Sequence, residues 1–140
     1  YQTVCILGDG SLMTNLHDLS LTKTANKNLK IFVYNNNGYT SIRNTQKNFF
    51  KKPYIGTDLS TGINIPNIKI IARLFKLKYF YISNLSELKK NIKKYLGSKG
   101  PLILEVNGLK EQDIIPTVFT KKNHKGEMIS TNLDEMYPSI

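Results

Sequence analysis

Four short apolar runs divide the chain, and each is followed by a polar turn or a stretch of helical periodicity. The runs combine β-branched, aromatic and aliphatic residues over lengths typical of strands. The first run is continuously apolar, so we expect a buried strand in which Cys5 is a buried, unreactive thiol. The predicted strands span residues 3–7, 29–34, 78–82 and 102–106.

Helical periodicity fills the stretches between the runs. Apolar residues recur there every three or four positions, which predicts helices with one buried face. Ser11 is placed to cap the first of these helices. The predicted helices span 11–23, 39–50, 67–76 and 86–96, and the stretch 51–66, which contains two prolines and two glycines, is predicted to be a loop.

The alternation of strands and helices predicts an α/β protein. Short strands separated by helical connections favour a three-layer α/β/α arrangement with a mostly parallel sheet. We expect one domain over 1–106 and an extended C-terminal tail over 107–140, where periodicity is weak. The chain enters an apolar run almost at Tyr1, so we expect the domain to be incomplete at its N-terminus and part of a larger protein.

Composition excludes some classes of protein. At 140 residues and 40% hydrophobic content, the chain can form one core, which excludes a wholly disordered chain. No apolar run reaches the roughly 18 residues of a membrane span, and no secretory leader is visible. We therefore expect a soluble, cytoplasmic protein without a membrane partner.

The net charge of +10 admits a second interpretation, a basic nucleic-acid-binding module. Arg43 and Arg73 are the only arginines among 20 basic residues, whereas nucleic-acid contacts favour the bidentate arginine side chain. The densest cluster, the lysines at positions 89, 90, 93 and 94, has the spacing of a solvated helix face. We therefore expect no nucleic-acid partner, and keep that module as the alternative.

Polar turns follow the first two predicted strands. Residues 8–11 read Gly-Asp-Gly-Ser and residues 35–38 read Asn-Asn-Asn-Gly. If the two strands are parallel neighbours, both turns face one crevice. Glycines there allow close backbone approach, and a helix that starts beside them favours a phosphate. Asp9, Asn36 and a carbonyl just after Asn36 would supply the oxygen ligands that Mg²⁺ prefers. Two ordinary turns remain the alternative interpretation.

These residues also carry a resemblance to a known family. Gly8-Asp9-Gly10 followed by Asn35-Asn36, with Asn36 placed 27 positions after Asp9, resembles the thiamine diphosphate signature, which begins Gly-Asp-Gly and closes with paired asparagines. The surrounding residues 8–19 and 34–43 are similar to the acetolactate synthase-type branch, as are 133–138. The resemblance covers nearly all of this chain but only the C-terminal part of a full-length subunit.

The resemblance implies a thiamine diphosphate-binding fold and a role for eight residues. Asp9 and Asn36 would bind Mg²⁺ through their side chains, and Gly38 through its carbonyl. Gly10 and Ser11 would hold the diphosphate through backbone N–H groups. The residues implied to bind or adjoin the cofactor are Gly8, Asp9, Gly10, Ser11, Asn15, Asn36, Gly38 and Tyr39.

The resemblance further implies an enzyme whose site is only partly in this chain. The activating glutamate of the family comes from a different domain, usually of another subunit, so we expect no catalytic residue here and an inactive fragment. The expected partners are upstream domains of the same polypeptide, a second subunit of a homo-oligomer, and a small 2-keto acid as substrate. The implied activity is that of a carboligase or decarboxylase, a transferase or lyase. Another thiamine diphosphate lyase or decarboxylase remains an alternative.

Overall fold

Four parallel strands form the central sheet of the protein. The computed structural model describes residues 1–25, 28–50, 53–113 and 115–137. The strands lie in the order β1-β2-β4-β3, and all three neighbouring pairs are parallel, which confirms the predicted α/β class. The strands span Thr3–Gly8 (β1), Leu29–Asn35 (β2), Lys78–Ile82 (β3) and Leu102–Asn107 (β4).

Helices cover both faces of this sheet. Ile31, Val33 and Ile103 pack with the helices on one face, while Phe32 and the residues that share its side of the strands pack on the other. This alternation follows from the two-residue period of a strand, and it gives the predicted three layers. The helices span Asp9–Thr14 (α1), Thr22–Ala25 (α2), Thr40–Phe50 (α3), Ile68–Leu74 (α4) and Leu85–Leu96 (α5).

Strand β1 is exposed, and the prediction that it is buried was wrong. Val4 and Ile6 are 46% and 77% exposed, and Cys5 is also exposed. The strand lies at the edge of the sheet, with β2 as its one neighbour. A continuous apolar run is typical of a strand covered on both faces, but the run does not encode the strand's place in the sheet.

The predicted single helix over 11–23 is divided into three short pieces. Helix α1 begins at Asp9, with Gly8 at its N-cap and no side-chain cap, so the prediction that Ser11 caps it was wrong. The helix ends at Asn15, whose backbone (φ −125°, ψ 31°) leaves the helical region. A 3₁₀ segment, Leu16–Leu21, then leads into α2. The apolar periodicity of this stretch still identifies buried positions, because Leu12 and Leu19 both pack in the core.

The connecting segments contain further regular structure. The predicted loop over 51–66 contains a 3₁₀ turn, Leu59–Thr61, although its first two residues lie outside the described residues. After β4, a hairpin of two antiparallel strands, Thr120–Lys122 (β5) and Met128–Ser130 (β6), interrupts the predicted tail. A last 3₁₀ turn spans Leu133–Glu135. Within the described residues, we find no helix with the length and apolar character needed to cross a membrane.

Candidate functional site

The turns after β1 and β2 lie together at one edge of the sheet. The two strands are parallel neighbours, with Gly8 opposite Tyr34. The backbone N–H of Gly38 donates a hydrogen bond of 2.8 Å to Asp9 Oδ2. Residues 29 positions apart in the sequence therefore form one crevice, at the carboxyl ends of the strands where open parallel sheets bind their ligands.

A cavity of about 350 Å³ opens between the two turns. Seven of the eight residues implied by the resemblance line it: Gly8, Asp9, Gly10, Ser11, Asn36, Gly38 and Tyr39. The eighth, Asn15, is not among the lining residues; its side chain is exposed and its amide donates to Thr14 Oγ1 at 3.1 Å. The structure also adds lining residues that the sequence analysis missed, namely Tyr34, Thr40, Ser41, Gln112, Asp113 and Ile115.

Asp9 places a buried carboxylate in this cavity. Its side chain is 1% exposed, and its two oxygens accept hydrogen bonds from the N–H groups of Gly10 (3.0 Å) and Gly38 (2.8 Å). Burial raises the pKa of Asp9 above its usual value, while these hydrogen bonds and the charge of Arg43 act in the opposite direction. No cation of the described residues forms an ion pair with it. A buried carboxylate in this state favours a bound cation.

Asn36, which lines the same cavity, has an unpaired side-chain oxygen. Its Oδ1 atom is buried and has no hydrogen-bond partner among the residues that the structure describes. Leaving such an acceptor unpaired costs about 1–3 kcal/mol, so it marks a place where a ligand would be stabilised. The described residues contain no group of three or more His, Cys, Asp and Glu side chains that could hold a metal. An ion here would therefore need further oxygens, such as those of a phosphate.

Two glycines are required by close contacts in the site. A Cβ on Gly38 would lie 2.0 Å from the carbonyl oxygen of Thr57, and Gly38 has a φ of +132°. A Cβ on Gly10 would lie 2.5 Å from the ring of Tyr39. Gly8 differs, because the nearest atom to its Cβ would be 4.0 Å away. Gly10 thus lets the first turn approach the residue after the second, and Gly38 lets the second turn approach the segment that contains Thr57.

Arg43 is a buried cation behind the Asn36 turn, and the sequence analysis assigned it no role. Its guanidinium is 3% exposed and donates to the carbonyls of Asn36 (3.2 Å), Asn37 (3.3 Å) and Lys110 (2.7 Å). It also donates to Thr40 Oγ1 at 2.9 Å. An arginine that is rare in a lysine-rich sequence was the available signal, since a lysine cannot supply this planar set of donors.

Asp58 connects Arg43 to the segment after β4. Its carboxylate lies 3.7 Å from Arg43 Nη1 and 2.9 Å from Lys110 Nζ. Hydrogen bonds from Ser60 and Lys110 lower the pKa of Asp58 to about 2. Beyond Lys110, Gln112 accepts a hydrogen bond from the hydroxyl of Tyr34. These contacts hold the segment after β4 against the cavity.

Comparison with protein families finds one match. Residues 1–106 match the family described as "Thiamine pyrophosphate enzyme, C-terminal TPP binding domain". The match contains both turns and all four strands of the parallel sheet. It bears out the resemblance on which the sequence analysis relied.

The similar curated proteins are acetolactate synthases. The chain is 28% identical over 114 residues to the acetolactate synthase of Arthrospira platensis, a match that covers 81% of this chain and 19% of that protein. It is 30% identical over 115 residues to the acetolactate synthase isozyme 2 large subunit of Escherichia coli (strain K12), covering 82% and 20%. For the chloroplastic acetolactate synthase 1 of Zea mays, identity is 26% over 119 residues, covering 82% and 19%. The chain thus spans about a fifth of the length of these relatives.

Proposed function

Since this chain belongs to the family of the C-terminal TPP-binding domain of thiamine pyrophosphate enzymes, we propose that the cavity between the turns after β1 and β2 holds thiamine diphosphate through Mg²⁺. The observation that carries the proposal is the unpaired, buried Oδ1 of Asn36. It shares the cavity with the buried carboxylate of Asp9. Neither oxygen-bearing side chain forms an ion pair or hydrogen bond with a cation of the described residues. A carboxylate and an amide oxygen of this kind form a donor set that suits Mg²⁺ beside a phosphate.

We propose a role for each of the eight residues that the resemblance implies. Asp9 and Asn36 bind Mg²⁺ through their side chains, and Gly38 binds it through its carbonyl. Gly10 and Ser11 donate backbone N–H groups to the diphosphate, with Gly8 and Tyr39 beside it. Asn15 was also predicted to adjoin the cofactor, and that role has only the resemblance as support, since Asn15 does not line the cavity.

The chemistry belongs to the cofactor, and this chain positions it. When bound, thiamine diphosphate supplies the electron sink that allows a bond beside the carbonyl of a 2-keto acid to be broken or formed. Asp9 neutralises the metal, the glycines allow close approach of the backbone, and the segment with Gln112 excludes water from one side. We propose no catalytic residue in this chain.

The wider function is proposed from the relatives. The acetolactate synthases that match over most of this chain support a carboligase or decarboxylase acting on a small 2-keto acid, with another thiamine diphosphate lyase or decarboxylase as the alternative. We propose residues 1–106 as the cofactor-holding domain and 107–140 as a tail. Further domains and a second subunit would supply the activating glutamate. A cytoplasmic location is a prediction of the sequence only.

Calorimetric titration of the full chain with thiamine diphosphate, with and without Mg²⁺, tests this proposal. We expect binding that requires Mg²⁺ and is weakened at least about tenfold in Asp9→Ala and in Asn36→Ala, since a hydrogen bond or ligand contact of a charged group contributes about 1.5–3 kcal/mol. Asp18→Asn is the control, because Asp18 is exposed and does not line the cavity.

Two results would contradict the proposal. One is thiamine diphosphate binding that is unchanged by chelation of Mg²⁺. The other is wild-type affinity in both cavity variants. Binding to nucleic acid that weakens steeply with salt, and that neither variant alters, would instead support the basic-module alternative.

A further inference from the structure

A buried carboxylate in the central strand β4 has no part in the proposed site. Glu105 is 8% exposed and forms no ion pair among the described residues. Both of its oxygens accept hydrogen bonds, Oε2 from the hydroxyl of Tyr79 at 2.5 Å and Oε1 from Asn35 Nδ2 at 2.7 Å. Burial and the contact with Glu105 raise the pKa of Tyr79, so its hydroxyl stays protonated and donates.

Asn35 connects this carboxylate to the turn that contains Asn36. While its amide nitrogen donates to Glu105, its Oδ1 accepts the backbone N–H of Asn37 at 3.0 Å. The two ends of an amide differ, because one end only donates and the other only accepts. A carboxylate can only accept hydrogen bonds, so it pairs with the amide nitrogen of Asn35. Glu105 thereby determines that the amide oxygen of Asn35 faces the turn.

Other backbone groups of the turn are also held. Arg43 donates to the carbonyls of Asn36 and Asn37, and Asp9 accepts from the N–H of Gly38. The bond from Asn37 to Asn35 completes this set and spans Asn36 itself. The backbone of the turn is therefore held on both sides of Asn36, and Asn35 connects it to Glu105 in the central strand β4.

We propose that Glu105 is a positioning residue for Asn36: by fixing the orientation of the Asn35 amide, it holds the turn so that the Asn36 oxygen points into the cavity. The inference rests on the proposed function of that cavity as the Mg²⁺–diphosphate site. Glu105 touches neither ligand. It acts through Asn35 and the backbone of Asn37.

The variant Glu105→Leu removes the acceptor at nearly constant volume. The change leaves the donors of Tyr79 and Asn35 without this acceptor, at a cost of about 1–3 kcal/mol each, so circular dichroism first establishes that the variant is folded. We expect faster hydrogen exchange of the Asn37 amide in the cofactor-free full chain, measured by NMR. We also expect Mg²⁺-dependent thiamine diphosphate binding about tenfold weaker by calorimetry, the effect of one lost hydrogen bond to a charged group.

Two further variants separate positioning from a purely structural role. Tyr79→Phe removes the other hydrogen bond to the same carboxylate and leaves the contact with Asn35. Glu105→Gln can still accept from Asn35 through Oε1, while its amide nitrogen donates to the Tyr79 oxygen. In both we expect Asn37 exchange and cofactor affinity within about twofold of wild type, because the Asn35 orientation is kept.

Three outcomes decide the matter. Wild-type exchange and affinity in Glu105→Leu would overturn the inference, and so would an equal loss in Tyr79→Phe. If the wild-type chain itself fails to bind thiamine diphosphate with Mg²⁺, the proposed function is wrong, and the exchange of the Asn37 amide still tests the role of Glu105 in the turn.

If Glu105→Leu does not fold, two isosteric changes test the same inference. Asn35→Asp sets two carboxylates against each other, so we expect faster exchange at Asn37. Adding Glu105→Gln reverses the polarity of the contact, since the glutamine donates to the new aspartate, and we expect exchange to return to the wild-type rate. A double variant that exchanges as fast as Asn35→Asp alone would overturn the inference.

Discussion

At the scale of single residues, the candidate site combines an amide oxygen that has no hydrogen-bond partner with a carboxylate that has no ion pair among the described residues. Asn36 Oδ1 is buried and unpaired among the described residues, and Asp9 is buried without an ion pair. Both arrangements destabilise the empty protein. They are maintained because the surrounding backbone is held tightly, above all at Gly38, whose N–H binds Asp9 and whose Cα approaches the Thr57 carbonyl.

Replacement of Gly38 by alanine is therefore expected to destabilise the fold. A Cβ would lie 2.0 Å from Thr57 O, at a φ of +132°. Backbone strain and overpacking together should therefore lower the free energy of unfolding by about 3 kcal/mol or more. Gly62→Ala is the matched control, because Gly62 also has a positive φ (+101°) but open space around its Cβ position. We expect Gly62→Ala to lower the free energy of unfolding by about 1 kcal/mol.

Urea denaturation of both variants measures this difference as a change in the free energy of unfolding. Equal losses in Gly38→Ala and Gly62→Ala would show that conformational strain alone acts at Gly38. The close approach of Gly38 to the Thr57 carbonyl would then not be what requires glycine.

At the scale of secondary-structure elements, helix α5 has a start that is determined by local sequence and a buried face that is determined by tertiary packing. Asn84 caps the helix by accepting the N–H of Glu87 at 2.9 Å, and Glu87 accepts the N–H of Ser83 in return. Leu88, Ile92 and Leu96 pack against the sheet, whereas the lysines at 89, 90, 93 and 94 are exposed. The predicted solvated lysine face is thus confirmed. These lysines follow the helix period and need no ligand to explain them.

Removal of the cap should weaken this helix. Asn84→Ala leaves the Glu87 N–H without its acceptor, and we expect a loss of about 1 kcal/mol in the free energy of unfolding. Asn91→Ala, in the same helix, is the control. Asn91 lies in the helix interior, where its amide donates to the Glu87 carbonyl at 3.1 Å. The better helix propensity of alanine offsets the loss of that bond, so we expect a change of a few tenths of a kcal/mol at most. Thermal and urea unfolding would measure both, and an equal loss at the two positions would count against the cap.

At the scale of the whole molecule, three segments distant in sequence meet at Arg43. Its guanidinium contacts the turn after β2, the loop that contains Asp58, and Lys110 after β4. Asp58 adds an ion pair with Lys110. Arg43 and Asp58 thus connect the cavity to the parts of the chain that surround it. Removal of either side chain would leave the charge of the other uncompensated.

This connection should make stability depend on pH in acid. The pKa of Asp58 is lowered to about 2 by Ser60 and Lys110, so the folded state favours the ionised carboxylate. Its contribution is complete above the unfolded pKa of about 4 and is lost as the pH falls towards 2. We expect the stability difference between wild type and Asp58→Asn to be constant above about pH 5 and to shrink between pH 4 and 2.

Urea denaturation at a series of pH values measures that difference. In Lys110→Met the pKa of Asp58 should move back towards its usual value, so that the loss in acid is smaller and is complete at a higher pH than in wild type. A difference between wild type and Asp58→Asn that is the same at pH 6 and pH 2 would show that the Asp58 carboxylate is not stabilised by these partners.

The sequence by itself determined the parallel α/β architecture and most of the cavity lining. Strand and helix periods depend on local residue order, and the Gly-Asp-Gly and Asn-Asn turns stand next to the strands that carry them. Only the tertiary structure decided which strand lies at the edge, and therefore that Cys5, Val4 and Ile6 are exposed. It also brought together Arg43, Asp58 and Lys110 behind the cavity, and Glu105 with Asn35. Their contacts join residues far apart in the chain, and a local pattern carries no information about a partner that only the folded sheet brings within hydrogen-bond distance.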